Sequence, residues 1–320
     1  MNYKDWHSVA IELSSQGLSG RKIARQIDKA KSSVNDMLKA HKEGKLELSE
    51  PKIEKLNYLY FDLESSLMEG HFFKIWDENI PVSRIKKHSH LLTAAWATNE
   101  GDVGSIRITP EDVKTGNDLA IVVKIIELIN ASDVLVTFNG KRFDLKLLNT
   151  RALFWGLPPI TAKKHVDLFE QAKKSFKFPS NSMQNVSKYL GLEGKLATGG
   201  TLLWERCANY DNKEVCDNAL IEMETYNRQD IEATRDLHAR LLGWGKNTPN
   251  IGTIAKSKDG VEGLRCTHCG SNDVSKIMVD GVAKKGYTAV SSFDLYRCGE
   301  SNCRGVSRVN ASGKALVNYI

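Results

Sequence analysis

Apolar and polar positions follow different rhythms along the chain, and each rhythm predicts a different kind of structure. Over the first forty residues the spacing is helical. Trp6, Val9, Ala10 and Leu13 fall on one face of a helix that stops near Gly17. Ile23, Ala24 and Ile27 follow Ser19 in a short second helix, and Val34, Met37 and Leu38 mark a third. From residue 57 the pattern turns to strands: NYLYFDLE, HFFKIW (71–76) and LLTAAWA (91–97) predict three, DVLVTF (133–138) a buried fourth, and 165–168 a short fifth. Helical spacing returns over 117–130, 143–154, 182–190 and 213–242. Strands first, then alternation with helices, predicts a mixed α/β sheet flanked by helices. The last stretch has strand-like runs, SKIMVD and YTAVSSFDLYRC, and is too small to bury a core by itself. These shifts divide the chain into a small all-α domain at 1–45, a charged linker at 46–56 containing Pro51, an α/β domain at 57–245 and a small β domain at 256–320.

Composition narrows the class. No apolar run reaches the 18 or so residues of a membrane span; 119–126 is broken by Lys124. The N-terminus lacks a basic patch followed by an apolar stretch, and six cysteines are too few for a disulfide scaffold. The expectation is a soluble cytoplasmic protein, of a bacterial cell or one infected by phage, with no membrane partner. The net charge of +6 is concentrated: residues 141–188 carry ten basic side chains against three acidic ones. That bias suits a polyanion such as nucleic acid.

The carboxylates carry the strongest chemistry. Asp62 and Glu64 stand two apart at the end of the first strand, so both leave one face of the sheet. Adjacent carboxylates repel unless a cation lies between them. Asp144 follows the Asn139-Gly140 turn beyond DVLVTF, and Asp230 lies four residues after Tyr226 on one helix face. Hard oxygen ligands of this kind suit magnesium or manganese. Two such ions about 3.5–4 Å apart can carry out phosphodiester hydrolysis. A phenol with an ordinary pKa near 10 is a poor base at neutral pH, so Tyr226 would orient the water rather than deprotonate it.

With those residues in view, FDLE, FNGKRFDLKLL, HVDL and YNRQD resemble the motifs of the DnaQ-like 3′-5′ exonucleases of ribonuclease H fold, in the subclass with tyrosine in its third motif, and most nearly the YprB-type ribonuclease H-like domain. The histidine subclass would carry His where this chain has Thr225. The resemblance spans about 57–242 and implies a two-metal nuclease acting at a 3′ end. By it, Asp62 would bridge both ions, Glu64 and Asp230 would hold the ion carrying the nucleophile, and Asp144 would serve the second. Asn139, Lys141 and Arg142 would meet the nucleic acid, and Lys146, Arg151, Lys163, Lys164, Lys173, Lys174 and Lys177 supply further cations nearby. Phe176 and Phe178 would either stack bases or anchor their loop. Asp167 reads equally as a helix N-cap and as a metal neighbour, and His165 as a structural hydrogen-bonding group. GLEGKLATGGTLLWER (191–206) resembles the glycine-rich stretch before the last helix of that family.

Two further motifs flank this domain. Residues 13–41 resemble the helix-turn-helix of resolvase and homeodomain-like domains, which would lay a third helix in the DNA major groove. Arg21, Lys22, Arg25 and Lys31 would contact phosphates, and Ser32, Ser33 and Asn35 would lie nearest base edges. Cys266-x-x-Cys269 and Cys298-x4-Cys303, with 28 residues between them, resemble a zinc ribbon, and a closed site of four thiolates would hold one structural zinc. His268 is a conceivable substitute ligand, and Cys207 and Cys216 read as packing residues. The leading reading is a metal-dependent 3′-5′ exonuclease on DNA. The alternatives are a structure-specific endonuclease using the same site, a DNA-binding regulator on an inactive nuclease fold, and a transposase or integrase.

Overall fold

The computed structural model describes residues 6–45, 56–74, 79–99, 101–161, 163–193, 200–245, 248–260, 263–310, 313 and 315–318. Residues 46–55 of the expected linker, 75–76 of the expected second strand and 194–199 of the glycine-rich stretch lie outside them. The chain forms two compact units, Met1–Glu54 and Lys55–Ile320.

In the first unit, α1 (Trp6–Ser15), α2 (Gly20–Gln26) and α3 (Lys31–Lys42) close on Ala10, Ile23, Ala24, Val34 and Met37. Gly17 takes φ +82°, letting Leu18 N–H reach back to Leu13 O and end α1. Of the expected inward face, Trp6, Ala10 and Leu13 pack in this cluster and Val9 does not. His7 is buried against the edge of Trp6 while Val9 is open, because the buried stripe runs through His7 and Ala10 at i, i+3 spacing. The cations of α2 and α3 face solvent, as do Ser32 and Ser33. Gly20 is constrained by close approach: a Cβ there would lie 2.1 Å from Asn35 Oδ1, so Asn35 joins α3 to α2.

In the second unit, alternation along β1 (Tyr58–Ser65) sets the layers. Leu59, Phe61 and Leu63 face one apolar cluster with Ile121, Ile125 and Leu148; Tyr60 faces the other with Val136, Leu168, Ile231 and Leu237. A 25-residue connection carrying β2 (Glu69–Gly70) and β3 (Ile85–Lys87) leads to β4 (Leu91–Thr98) and β5 (Gly104–Arg107). The helices α4 (Pro110–Thr115) and α5 (Leu119–Ala131) precede β6 (Val134–Thr137), α6 (Asp144–Phe154) and β7 (Lys164–Asp167). The sheet order is β5-β4-β1-β6-β7, antiparallel on the β4 side of β1 and parallel on the β6 side. This is the ribonuclease H-like mixed sheet flanked by helices. Helices α7 (Leu168–Ser175), α8 (Met183–Tyr189), α9 (Leu202–Cys207) and the 29-residue α10 (Lys213–Leu241) complete the layers. At 1.5 Å per residue α10 is about 43 Å long, enough to touch both clusters.

HFFKIW does not form the expected strand where it is described: 71–74 lie outside any strand, and the local ladder is the two-residue β2 against β3. Arg151 also departs from expectation. Rather than facing a substrate, it is buried with Asp118, whose carboxylate accepts from Arg151 Nε and Nη2, Trp155 Nε1 and Leu91 N at 2.7–2.8 Å. This knot ties β4 and α5 to α6, and removing either charged partner would cost about 3–5 kcal/mol by leaving the other buried alone.

After α11 (Ile251–Asp259), the short strands β8 (Val274–Lys276), β9 (Met278–Val279), β10 (Val282–Ala283), β11 (Lys285–Tyr287), β12 (Ser292–Cys298), β13 (Val306–Val309) and β14 (Leu316–Asn318) make the C-terminal β region. The run YTAVSSFDLYRC is two strands and not one, broken where Thr288 and Ser291 bond across a turn. This region leans on the end of α10. A Cβ at Gly243 would lie 1.8 Å from Cys303 O, and one at Gly252 within 2.9 Å of Arg265 and Cys266.

Candidate active site

Strand alternation puts Asp62 and Glu64 on the face of Tyr60, toward α10. There α10 brings Asp230, buried at 1% exposure, to the pair. Carboxylate oxygens of Asp62, Glu64 and Asp230 all lie within 4.8 Å of one another. One ion could touch all three. Asp144, at the first turn of α6, stands beside this trio: its Oδ1 accepts from Leu63 N–H at 3.0 Å, on the residue between Asp62 and Glu64. Tyr226, one helical turn before Asp230, is buried with its ring edge-on to Trp204 at 6.5 Å.

A buried amide fixes the trio. Asn227 donates from Nδ2 to Asp62 Oδ2 at 2.6 Å, while its Oδ1 accepts from Thr93 Oγ1 at 3.1 Å. Thr93 is the cross-strand neighbour of Glu64. The chain Thr93–Asn227–Asp62 therefore locks β4, α10 and β1 in one orientation. Sequence reasoning passed over Asn227, which sits between Tyr226 and Asp230 in motif YNRQD. Its signal is an asparagine in a helix interior, where the residue is a poor helix former and a buried amide requires partners.

The turn before Asp144 is built to tight tolerance. Asn139 adopts φ +68°, and a Cβ at Gly140 would stand 2.4 Å from Thr137 Oγ1, so only glycine fits. Asp167 holds this turn. Its carboxylate accepts from Asn139 N and Lys141 N, and also from Phe169 N and Glu170 N at the start of α7. It caps α7 and clamps the turn that delivers Asp144. His165 lies beneath, its Nε2 2.8 Å from Thr137 Oγ1; burial, with Lys141 nearby, pushes its pKa down to about 4, so the ring is neutral at pH 7.

A cleft of about 660 Å³ opens on the carboxylates. Asp62 and Asp230 are in its lining, with Phe138, Phe169, Asn139, Lys173 and the 180–184 segment around them. The rings of Phe138 and Phe169 meet edge-on at 5.9 Å. Lys141 is spoken for by Glu170 at 3.1 Å, whereas Arg142 is exposed. Phe176 and Phe178 pack on each other, on Trp244 and on Tyr189, as loop anchors do.

The second polar cluster is sulfur. The Sγ atoms of Cys266, Cys269, Cys298 and Cys303 lie within 4.8 Å of one another, with Cys266–Cys303 at 3.7 Å and Cys269–Cys298 at 3.6 Å. A tetrahedral ion with sulfur at about 2.3 Å needs sulfurs about 3.8 Å apart, which this spacing meets. His268 is outside the cluster, its ring packed where a Cβ at Gly305 would stand. Cys207 and Cys216 are buried, Cys216 Sγ donating to Cys207 O. Among the described residues, no helix is long and apolar enough to cross a membrane.

Residues 86–242, just under half of the chain, match the family model of the RNase_H superfamily; the match takes in Asp144, Tyr226 and Asp230 and begins after β1. Among solved structures, the chain is similar to the family B DNA polymerase from the hyperthermophilic archaeon Pyrobaculum calidifontis, with 16% identity and a TM-score of 0.44. The similarity covers 64% of this chain and 26% of the polymerase, about a quarter of that protein's length. A comparison with curated proteins gave no match.

Proposed function

Starting from a ribonuclease H-like domain with three converging carboxylates, we propose that the protein is a two-metal-ion 3′-5′ exonuclease acting on DNA. The observation that carries this reading is the trio Asp62, Glu64 and Asp230, within 4.8 Å of one another, two of which, Asp62 and Asp230, line a cleft of about 660 Å³. When bound, magnesium or manganese ions would supply the activated water and stabilise charge on the phosphate and the leaving oxygen. Asp62 would bridge the two ions, with Glu64 and Asp230 at one and Asp144 at the other. Tyr226 would orient the attacking water. Asn227 keeps Asp62 turned toward its partners. Phe138 and Phe169 offer ring faces to the terminal base, and Lys173, Asn139 and Arg142 can meet phosphates.

The outer parts support a nucleic-acid partner. The first unit presents Arg21, Lys22, Arg25 and Lys31 to solvent beside Ser32 and Ser33; we read it as a helix-turn-helix that docks the enzyme on duplex DNA. The four cysteines would hold one structural zinc, since a closed thiolate set leaves no position for substrate.

Exonuclease action is tested by comparing a linear single strand with the same sequence circularised. The linear strand should shorten in Mn²⁺ while the circle stays intact; nicking of the circle at a comparable rate would make the enzyme an endonuclease. The Asn227 contribution is measurable separately. Asn227→Ala should weaken Mn²⁺ binding roughly 10–100-fold, as loss of groups orienting metal ligands generally does, and calorimetric titration with Mn²⁺ checks it. Unchanged affinity would show that Asp62 is oriented without Asn227.

A further inference from the structure

The register of β1 against β4 slips at the carboxylate end of the strand. Glu64 pairs with Thr93, but Ser65 pairs with Leu91, so Leu92 is skipped. Irregularities of this kind re-aim side chains next to active sites, and they leave ladder groups that need other partners. The N–H opposite Ser65 is engaged elsewhere, since Leu91 N donates to the Asp118 carboxylate at 2.8 Å. The Ser65 carbonyl accepts instead from the indole Nε1 of Trp204 at 3.1 Å. Across the same peptide unit, Ser66 N donates to His90 O at 2.8 Å. That peptide plane, directly after Glu64, is held at both ends, and the indole is the hold that comes from outside the sheet.

The ring of Trp204 meets the helix of the site. It stands edge-on to Tyr226, with centroids 6.5 Å apart and planes at 75°. The helix carrying Trp204 is fastened to α10. Leu203 and Cys207 of α9 are buried, Cys207 O accepts from Cys216 Sγ at 3.0 Å, and Arg206 Nη2 donates to Glu222 at 2.7 Å. Trp204 thus joins the strand of Asp62 and Glu64 to the helix of Tyr226 and Asp230. Asn227 bridges those two elements at Asp62, and Trp204 bridges them just past Glu64. Burial alone does not dictate this hydrogen bond. A fully buried indole needs a protein partner for its N–H, but Trp204 is only partly buried and water would serve.

From this we infer that Trp204 is a positioning residue of the candidate active site: its N–H fixes the backbone that aims Glu64, and its ring holds Tyr226 in place. The inference rests on the two-metal nuclease reading for its purpose. It deepens that reading by giving Glu64 and Tyr226 a common support, through which Trp204 acts without being a ligand itself.

Two substitutions separate the two ends of the side chain. Trp204→Phe keeps an aromatic ring beside Tyr226 and removes the N–H, whereas Trp204→Ala removes both. Calorimetric titration of the full-length protein with Mn²⁺ reads the first role and needs no turnover. Trp204→Phe should bind Mn²⁺ about tenfold more weakly, the low end for losing a group that orients metal ligands. Its melting temperature should fall by no more than about 4 °C, the scale of one hydrogen bond in a domain of this size. Mn²⁺ affinity within twofold of wild type overturns the role at Glu64. Weaker affinity with a much earlier melt also overturns it, because general loosening would then account for the loss. For the second role, Trp204→Ala in saturating Mn²⁺ should lower kcat beyond Trp204→Phe, and this extra loss should vanish in a Tyr226→Phe background, where no hydroxyl is left to place. An equal extra loss in that background overturns the role at Tyr226. Weaker Mn²⁺ binding by Trp204→Phe supports the inference even in a protein that cleaves nothing, and full cleavage with unaltered Mn²⁺ affinity removes the inference while sparing the nuclease.

Discussion

Alanine in place of Asp62 is expected to lower phosphodiester hydrolysis by at least about 10³-fold, since losing even one preorganised group that stabilises developing charge typically costs 10²–10³. Asp62 is central for a geometric reason. It shares a sheet face with Glu64, lies within 4.8 Å of Asp230 and accepts the hydrogen bond of Asn227 Nδ2. Without it Glu64 and Asp230 would lack the carboxylate proposed to hold both ions. The loss should fall on kcat, while affinity for an oligonucleotide in EDTA changes little, because Asp62 contributes negative charge and no attraction for phosphate. Single-turnover assays in saturating Mn²⁺ check this. Turnover within tenfold of wild type would show that the trio is not the reaction centre.

Serine in place of Cys298 is expected to release the zinc that we propose the four cysteines hold, and to unfold the C-terminal β region. Binding a structural zinc is worth about 10–16 kcal/mol in small zinc-finger peptides, and much of that is folding free energy. Among the described residues the β region has little else to hold it: Phe293, Leu295 and Leu316 are its buried large apolar side chains, beside the cysteines. The damage should extend to α10. Gly243, just past that helix, has no room for a Cβ against Cys303 O, and Leu242 packs on the cysteine cluster. The measurements are metal content by mass spectrometry and the melting transition by calorimetry. Cys298→Ser should lose one equivalent of zinc and melt earlier. Cys207→Ser, at a buried cysteine far from the cluster in sequence, should keep its zinc. Full zinc content in Cys298→Ser would mean that three thiolates suffice or that the ion sits elsewhere.

Much of this architecture is legible in the sequence because it is dictated by short-range patterns. The run NYLYFDLE announces a strand that is apolar until its end, and the two carboxylates two apart could only share a face. The spacing of Tyr226 and Asp230 places both on one side of a helix whose length the apolar period already gives. The sheet's edges were less legible. β5 is the four-residue run GSIR, with no large apolar alternation to mark it, and it exists because β4 offers a free edge. HFFKIW has every composition cue of a strand, yet 71–74 do not pair; aromatic content measures fitness for a surface, and here the surface is solvent. Long-range charge pairing was invisible. Arg151 looks like one cation among many near Asp144, and its partner Asp118 lies thirty-three residues away at the head of another helix. Asp167 was open between two roles because an N-cap and a metal neighbour use the same atoms; four backbone N–H donors on its carboxylate assign it to the turn. Asn227 was missed for a related reason, since only the tertiary structure brings Thr93 and Asp62 to opposite ends of its amide.

The most direct measurement of the central claim follows a 5′-labelled single-stranded DNA on a sequencing gel, with wild-type protein and Asp62→Ala, each in Mn²⁺ and in EDTA. The two-metal exonuclease predicts a ladder that retreats from the 3′ end with wild type in Mn²⁺, and intact strand in the other three lanes. An intact strand with wild type in Mn²⁺, or equal shortening by Asp62→Ala, would contradict it.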